Sequence, residues 1–158
     1  MIQLRHVKIG HHDTLLRAED LKLSSGNIYA LIGRNGIGKS TFIQTITGLI
    51  KPLAGEIVID GKSISGFKIN DIAETISLVD TRFEGVEYLK VKDYLALGRA
   101  PFTDAFGRLT SKDWQLVQNV ASDLNIAHLL DKYTDQISDG ERQLCSVGRA
   151  FVQETPVV

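Results

Sequence analysis

Several features that would place a chain outside the ordinary soluble domains are missing here. One cysteine, Cys145, stands among 158 residues, so an internal disulfide is excluded and a reducing compartment is expected. The sequence also contains no internal repeat and no low-complexity tract. No apolar run approaches the roughly 20 residues that span a bilayer, and the first residues lack the basic and apolar regions of a signal peptide. We therefore expect any membrane role to be peripheral.

An excess of charge of either sign is also absent. The 18 basic and 19 acidic residues give a formal net charge of -1, so nothing global directs the molecule to nucleic acid or to an acidic membrane surface. The content of 43% hydrophobic and 23% charged residues is typical of a globular protein and disfavours disorder. The length is that of one ordinary domain with a hydrophobic core.

The stretch that organises the chain is residues 27–41, NIYALIGRNGIGKST. The apolar run at residues 28–32 predicts a strand buried on both faces of a parallel sheet. Gly33, Gly36 and Gly38 follow, and they allow a tight turn whose N–H groups converge with no Cβ in the way. This order of strand, glycine-rich turn and helix predicts a phosphate-binding P-loop.

The residues after the last glycine carry the chemistry of such a loop. Lys39 is placed to reach the β- and γ-phosphates, and the Ser40 hydroxyl is placed to ligate Mg²⁺. Apolar residues recur at helical spacing over residues 42–50, so a helix ending near residues 48–52 is predicted. A chance glycine-rich loop is the alternative, but the complete GxxxxGK[ST] pattern between a strand and a helix disfavours it. The predicted nucleotide-contacting residues are Gly33, Arg34, Asn35, Gly36, Gly38, Lys39, Ser40 and Thr41.

Short β-rich pieces surround this motif. Their alternation of apolar and polar residues predicts a small antiparallel sheet. Asp60-Gly61 is a strong hairpin signal within it. The predicted strand regions are residues 1–7, 20–23, 55–60 and 62–64, with a first turn at residues 10–13.

The chain then leaves the β-rich part. Asn70 is expected to cap a brief helix over residues 71–74. Residues 76–79 are typical of a strand, which enters a polar loop at residues 80–82.

The following residues are mainly helical. Thr110 opens a capping-box pattern before an amphipathic helix. Trp114 in that helix, like Tyr29 before the P-loop, lies in an apolar pattern and is predicted to be a core residue. Shorter helices are predicted at residues 91–98 and 126–132. The predicted division is a β-rich part with the P-loop at residues 1–83, a helical insert at 84–135 and a second motif with its helix at 136–158.

That second motif is ISDGERQ, residues 137–143. Ser138 is placed to cap the helix that follows and Gly140 exposes its N–H, so with the helix dipole the segment can receive an anion. Taken alone, the pattern is more typical of a capped surface helix. Cys145 is predicted to be buried in this helix. The apolar stripe predicted along the helix is Leu144, Val147, Ala150 and Phe151.

The two motifs, with a helical insert between them, resemble those of the ATP-binding cassette (ABC) ATPases, whose second motif reads LSGGERQ. Residues 51–62, KPLAGEIVIDGK, are similar to the stretch after the P-loop helix of that family. Residues 91–113 are similar to the insert of cassettes that serve iron-siderophore, haem and cobalamin importers. The resemblance implies an α/β P-loop NTPase with a RecA-like core, an antiparallel β part and an inserted helical subdomain.

The resemblance also implies cofactors and partners. ATP and Mg²⁺ are the expected cofactors, and hydrolysis would drive uptake of a metal chelate such as iron-siderophore, haem or cobalamin. Two nucleotide-binding subunits of the family form a head-to-tail dimer, so Ser138, Gly140 and Glu141 are expected to contact the partner's nucleotide in trans. The other expected partners are integral membrane permease subunits, with no nucleic acid. The expected location is cytoplasmic and peripheral, on the inner face of the cell membrane.

Three positions depart from the family pattern. Asp139 replaces a glycine, and its carboxylate is expected to weaken closure on a phosphate unless it points to solvent. Thr81 replaces the glutamine of the Q-loop, which leaves Thr81 or Asp80 as further candidates for a metal contact. The aromatic residue that stacks on adenine should fall near Gly10, where His11 offers an imidazole instead but is equally typical of a solvated turn.

In the family, three catalytic elements come after the second motif. They are the carboxylate that holds Mg²⁺, the carboxylate that activates water, and the switch histidine. The sequence reaches Val158 before any of them, and its four histidines, at positions 6, 11, 12 and 128, lie far upstream. We therefore predict no catalytic residue, ATP binding with weak or no hydrolysis, and poor solubility from a missing central strand. Two alternatives to an importer stay open: a non-transport ABC ATPase of DNA repair or the ribosome, and a catalytically idle nucleotide-binding module.

Overall fold

A computed structural model describes residues 1–79 and 88–158 of the chain. These residues form two compact units, Met1–Ile72 and Ala73–Val158. The first is built on a β-sheet and the second is mainly helical. No helix in the described ranges is both long and apolar enough to cross a membrane. The boundaries of the helical insert at residues 84 and 135 stay a prediction.

The first unit contains a four-stranded sheet. Its strands are β1 (Ile2–Gly10), β2 (Thr14–Leu23), β3 (Ala54–Ile59) and β4 (Lys62–Ser63). All pairs are antiparallel in the order β2-β1-β3-β4, which confirms the predicted sheet with a longer first hairpin. His6 has a φ of 50° and the register with β3 shifts between Arg5 and Lys8. This bulge moves the alternation by one residue, so Leu4 and Val7 are both buried.

Two further local predictions are confirmed in this unit. Asp60 and Gly61 have φ angles of 46° and 83°, as the two central residues of a mirror-image hairpin turn require. The helix α1 (Lys39–Ile46) follows the glycine-rich stretch. Its end is marked by Gly48, whose φ of 77° a residue with a Cβ rarely adopts.

The predicted strand at residues 28–32 is wrong. Ile28 and Ile32 are 101% and 90% exposed, and Tyr29, which was predicted to lie in the core, is half exposed. The Tyr29 hydroxyl oxygen instead accepts a hydrogen bond from the Ser24 backbone N–H at 2.7 Å. A buried parallel strand needs a hydrogen-bonded neighbour, and no strand of the described chain pairs with this segment.

The next segment corrects two smaller predictions. The helix α2 (Ile69–Thr75) already contains Asn70, so Asn70 is not its cap. The carboxylate of Asp71, the third residue of the helix, accepts the Lys68 backbone N–H at 2.7 Å, which is the return hydrogen bond of a capping box. Of the strand predicted at residues 76–79, one parallel bridge forms, from Ile76 to Val157. The polar loop predicted at residues 80–82 lies outside the described residues.

The second unit is held together by three helices. They are α3 (Val91–Ala96), α4 (Ser111–Asp123) and α5 (Asp139–Val152). The short helix predicted at residues 91–98 is α3, followed by a 3₁₀ helix at Leu97–Phe102. The region predicted as a helix at residues 126–132 contains a 3₁₀ turn at Ala127–Leu129. One apolar cluster joins the helices, and Trp114 packs against it, as predicted. Its largest fully buried side chains are Leu95, Ile126, Leu129, Val91, Val117 and Val152.

The face that α5 buries differs from the predicted stripe. Ala150 of that stripe is buried as predicted, but Leu144 and Phe151 are exposed, and the other buried residues include Cys145, Gly148 and Val152. A Cβ at Gly148 would lie 2.8 Å from Leu95 Cδ2, so α3 packs on the glycine-containing face. Close approach of the two helices, rather than the size of the apolar side chains, therefore sets the rotation of α5.

A second glycine permits a still closer contact. Gly98 follows α3, and a Cβ there would lie 2.3 Å from the backbone oxygen of Arg149. Real Cβ atoms do not approach a carbonyl oxygen so closely. The chain after α3 consequently touches the backbone of α5 directly.

A largely buried ion-pair network lies at the same end of α5. The guanidinium of Arg99 donates to Asp113 Oδ1 at 2.8 Å, to the Val152 backbone oxygen at 3.2 Å and to Glu154 Oε2 at 3.1 Å. The side chains of Arg99 and Asp113 are 13% and 14% exposed. Thr110 and Asp113 also form the predicted capping box of α4. Hydrogen bonds from Thr110 and the nearby Arg99 lower the pKa of Asp113 below its usual value.

Cys145 should be inert to thiol reagents while the protein is folded. It is fully buried, and burial, with a smaller effect of Glu141, raises its pKa to about 11. Since the thiolate is the reactive form, we expect modification by a disulfide reagent at pH 8 to be at least about 100-fold slower than in urea. Equal rates in both conditions would show that the packing around α5 is loose.

Candidate nucleotide-binding site

The loop before α1 has backbone conformations that favour glycine at two positions. Gly36 and Gly38 have φ angles of 79° and 102°, in the left-handed region that disfavours other residues. Gly33 is crowded, since a Cβ there would lie 3.1 Å from Ile37 Cγ2. The three glycines together leave the loop backbone without side chains of their own.

The backbone donors at the start of α1 are available to a ligand. The helical ladder begins with the Phe42 N–H donating to the Gly38 oxygen at 2.8 Å. The N–H groups of Lys39, Ser40 and Thr41 precede it, and the first turn of a helix offers them no acceptor. Gly38 has no side chain that could cap them. Three backbone donors and the positive end of the helix dipole thus suit an anion such as a phosphate.

Lys39 adds a positive charge to the same loop. Its ammonium donates to the backbone oxygens of Gly33 at 2.8 Å and Arg34 at 2.9 Å. These two bonds use two of its three donors and keep the charge folded over the loop. Arg34, Asn35 and Ser40 are exposed, so the Ser40 hydroxyl is open to a metal ion carried by a phosphate ligand.

The second motif forms a capped helix start. The Ser138 N–H and hydroxyl both donate to Glu141 Oε2 at 2.8 Å, and the Glu141 N–H donates to Ser138 Oγ at 3.4 Å. This confirms Ser138 as the cap of α5. The backbone and hydroxyl hydrogen bonds from Ser138 lower the pKa of Glu141. The capping role of Glu141 was not predicted, although the S-x-x-E spacing signals it.

Asp139 does point to solvent. Its side chain is 99% exposed and accepts from Arg142 Nη1 at 3.2 Å. Arg142 is anchored at its other nitrogens by the backbone oxygens of Thr134 at 3.0 Å and Asp135 at 3.3 Å. A neighbouring positive charge therefore offsets the carboxylate. Gly140, the next residue, is exposed, with open space where a Cβ would stand.

The predicted site residues fall in different parts of the chain. The loop from Gly33 to Thr41 belongs to the first unit, whereas Ser138, Gly140 and Glu141 belong to the second. Asp80 and Thr81, the further candidates for a metal contact, lie outside the described residues. Among the residues that are described, no group of three histidine, cysteine or acidic side chains is arranged to hold a metal ion.

A glycine-lined turn that enters a helix beginning Lys-Ser-Thr defines a P-loop nucleotide-binding protein. The family model for the ABC transporter family matches residues 16–158. The chain therefore belongs to the ABC transporter family.

Known proteins resemble the chain over its whole length. An ABC transporter ATP-binding protein of Methanocaldococcus jannaschii is 35% identical, over 100% of this chain and 55% of its own. The petrobactin import ATP-binding protein of Bacillus subtilis is 31% identical, and the alignment covers 100% of this chain and 62% of that protein. The solved structure of cbiO1 from Clostridium perfringens, part of the ABC transporter complex cbiONQ, aligns with a TM-score of 0.80 and 25% identity, over 98% of this chain and 62% of its own. The chain thus spans 55% to 62% of the length of these proteins.

Proposed function

We propose that these residues form the ATP-binding part of an ABC importer's nucleotide-binding subunit. The observation that carries the proposal is the loop before α1, where the helix start has no side-chain cap and the Lys39 ammonium bonds the loop backbone at Gly33 and Arg34. Amide donors and one fixed cation match the β- and γ-phosphates of a nucleotide. The residues proposed to contact ATP are Gly33, Arg34, Asn35, Gly36, Gly38, Lys39, Ser40 and Thr41.

Mg²⁺ is proposed to arrive with the nucleotide. The exposed Ser40 hydroxyl is the protein ligand that we assign to it, while the remaining ligands would be phosphate oxygens and water. When bound, the ion neutralises charge on the terminal phosphates. Lys39 and the loop amides hold those phosphates in one orientation. No carboxylate of this chain is assigned to water activation, so we propose that nucleotide binding exceeds turnover for these residues.

A second copy is proposed to complete the nucleotide site. Ser138, Gly140 and Glu141 would approach the terminal phosphate held by the partner's loop. Ser138 would have to exchange its hydrogen bond to Glu141 for one to the phosphate, since one hydroxyl has one proton to donate. Because Asp139 faces solvent beside Arg142, its carboxylate does not by itself block such an approach.

The transport role is proposed for the whole protein. The similarity of residues 91–113 to importer inserts and the petrobactin import relative support uptake of a metal chelate, such as an iron-siderophore complex, haem or cobalamin. The proposed partners are membrane permease subunits, which would place the protein peripherally on the cytoplasmic face of the membrane.

Ser40→Ala tests the metal assignment. We expect ATP affinity of the unaltered chain to rise when Mg²⁺ replaces EDTA, and we expect the substitution to reduce this gain by about tenfold, because a metal ligand is lost. Competition against a fluorescent ATP analogue measures both affinities. Ser40→Thr keeps the hydroxyl and should keep the gain. An undiminished gain in Ser40→Ala would remove Ser40 from the metal site, and no ATP binding in either condition would reject the proposed function.

A further inference from the structure

The second motif of this chain carries more negative than positive charge. Within residues 137–143 the acidic side chains are those of Asp139 and Glu141, and the basic one is that of Arg142. The family motif LSGGERQ has one acidic and one basic residue, so Asp139, which stands at a glycine position, supplies the excess. Because the motif is proposed to meet a triphosphate, this excess charge bears on how closely the two can approach.

The charge of Glu141 is compensated within the second unit. Its carboxylate accepts hydrogen bonds from the N–H and the hydroxyl of Ser138, each at 2.8 Å. These two bonds lower its pKa, and the charges of Lys132 and His128 lower it further. The carboxylate is thereby held at the start of α5, where the positive end of the helix dipole also favours it.

The charge of Asp139 lies in solvent. Its side chain is 99% exposed, and within the described residues its ion-pair partner is Arg142, at 3.2 Å. The Arg142 guanidinium also donates to the backbone oxygens of Thr134 at 3.0 Å and Asp135 at 3.3 Å, so it serves three acceptors. An ion pair at a solvent-exposed position is weak. Arg142 therefore offsets only part of the carboxylate charge.

We infer that Asp139 makes the pairing of two copies selective for nucleotide that carries Mg²⁺. The inference rests on the proposed function, in which Ser138 and Gly140 approach the terminal phosphate held by the partner's loop. Asp139 lies between these two residues at the start of α5, and adjacent Cα atoms are about 3.8 Å apart. Its carboxylate would therefore come close to the triphosphate. Like charges placed together across an interface oppose association.

Metal-free ATP and Mg-ATP differ in the charge that Asp139 would face. Bound Mg²⁺ cancels about two of the roughly four negative charges of the triphosphate. The carboxylate thus opposes metal-free ATP more strongly than it opposes Mg-ATP. In a symmetric pair each copy supplies one Asp139, so the penalty applies twice. We expect two copies to associate about tenfold more tightly with Mg-ATP than with metal-free ATP, which is about threefold per site.

The test measures the association of two copies of the full chain by sedimentation equilibrium. Nucleotide is saturating in every sample, which is verified by displacement of a fluorescent ATP analogue, so differences in nucleotide affinity do not enter. The unaltered chain should associate about tenfold more tightly in ATP with Mg²⁺ than in ATP with EDTA. Asp139→Asn and Asp139→Gly should reduce this preference to below about twofold by strengthening association in EDTA, because the opposing charge is removed.

Salt and a second aspartate provide the controls. Raising the salt concentration from about 20 mM to about 500 mM should strengthen association in EDTA for the unaltered chain but not for Asp139→Asn, since salt screens exposed charges. Asp123→Asn removes an exposed aspartate at the end of α4, outside the motif, and should keep the full preference. The variants are placed at Asp139 because loss of Arg142 would also deprive the Thr134 and Asp135 oxygens of their donor.

The outcomes distinguish this inference from the proposed function. A full preference for Mg-ATP in Asp139→Asn would overturn the role of Asp139 and assign the preference to the phosphate-binding loop. Equal association of the unaltered chain with and without Mg²⁺ would overturn it as well. ATP binding without association of two copies would reject both the inference and the completion of the site by a second copy. If the unaltered chain bound no ATP, the nucleotide site itself would be rejected.

Discussion

Lys39→Ala should weaken ATP binding about 100-fold. A charge-assisted hydrogen bond to a phosphate is worth roughly 2–3 kcal/mol, and each 1.4 kcal/mol is a factor of ten in affinity. The ammonium already lies over the loop, bonded to Gly33 and Arg34, so little ordering is needed before it meets a ligand. Titration with a fluorescent ATP analogue, followed by displacement with ATP, measures the change.

Lys51→Ala provides the control for charge alone. Lys51 is an exposed lysine in the same unit, and its loss should alter ATP affinity by less than about twofold, since separated surface charges are screened by salt. Both variants should unfold at nearly the same urea concentration, because the bonds of Lys39 are solvent-exposed. Equal ATP affinity in Lys39→Ala and the unaltered chain would show that the loop is not the phosphate site.

Arg99→Ala should lower the free energy of unfolding of the second unit by about 3 kcal/mol, because removing one partner of a largely buried ion pair leaves the other uncompensated. Asp113 would be left with its bonds to Thr110 but without a cation, and the Val152 oxygen would lose a donor. Trp114 is the single tryptophan of the chain and lies in this unit, so its fluorescence during urea unfolding reports the loss.

Two comparisons make this prediction specific. Arg108→Ala removes an exposed arginine of the same unit and should change stability by no more than about 0.5 kcal/mol. Arg99→Lys keeps the charge, but one amine cannot bind three separated acceptors, so an intermediate loss is expected. A cost for Arg99→Ala no larger than that for Arg108→Ala would mean that the network does not stabilise the fold.

The same network has a defined dependence on pH. The pKa of Asp113 is lower in the folded protein than its reference value of 3.8, through its hydrogen bonds with Thr110 and then Arg99. Its carboxylate therefore contributes stability above pH 3.8, and this contribution is lost as the pH falls through the folded pKa. The difference in stability between Arg99→Ala and the unaltered chain should shrink over that acidic range, because protonated Asp113 no longer forms an ion pair.

Short sequence patterns predicted the turns and helix starts whose conformation depends on neighbouring residues alone. The Asp60-Gly61 turn, the Thr110 cap and the helix after Gly38 each depend on residues within four positions of one another. Such elements are specified by backbone conformations that few residues can adopt and by hydrogen bonds to neighbouring amides. The antiparallel sheet was predictable for a related reason, since its strands alternate and one turn fixes the pairing of β3 and β4.

Predictions that required a partner elsewhere in the chain were less successful. The apolar run at residues 28–32 is typical of a buried strand, but a strand exists only where another strand pairs with it. The rotation of α5 depends on Gly148 meeting Leu95, which spacing along one helix cannot indicate. Asn70 was predicted to lie before α2, but the helix begins one residue earlier, at Ile69, and Asp71 inside it accepts the Lys68 N–H.

In the candidate site, too, features within one motif could be read from the sequence, whereas contacts between distant residues could not. The three glycines, Lys39 and Ser40 could be proposed as site residues from the sequence because one short motif contains all of them, and their contact with a nucleotide stays a prediction. The closeness of β2 to Gly38, where an added Cβ would lie 3.4 Å from Leu16 Cδ1, was not predictable, because it brings a β-strand beside a loop more than 20 residues later and no local pattern indicates it. Asp139 and Arg142 form an ion pair whose residues are visible in the motif, but its geometry depends on where the backbone of Thr134 and Asp135 lies.

The contact at Gly98 restricts how this family member can diverge. Hydrogen is the largest substituent that fits between its Cα and the Arg149 carbonyl oxygen, so even a methyl group would wedge the chain after α3 away from α5. Substitution by alanine is usually well tolerated, but at position 98 the added methyl group would push the chain after α3 away from α5. We therefore expect position 98 to be among the least tolerant in a saturation mutagenesis of this chain, although it lies outside both nucleotide-binding motifs.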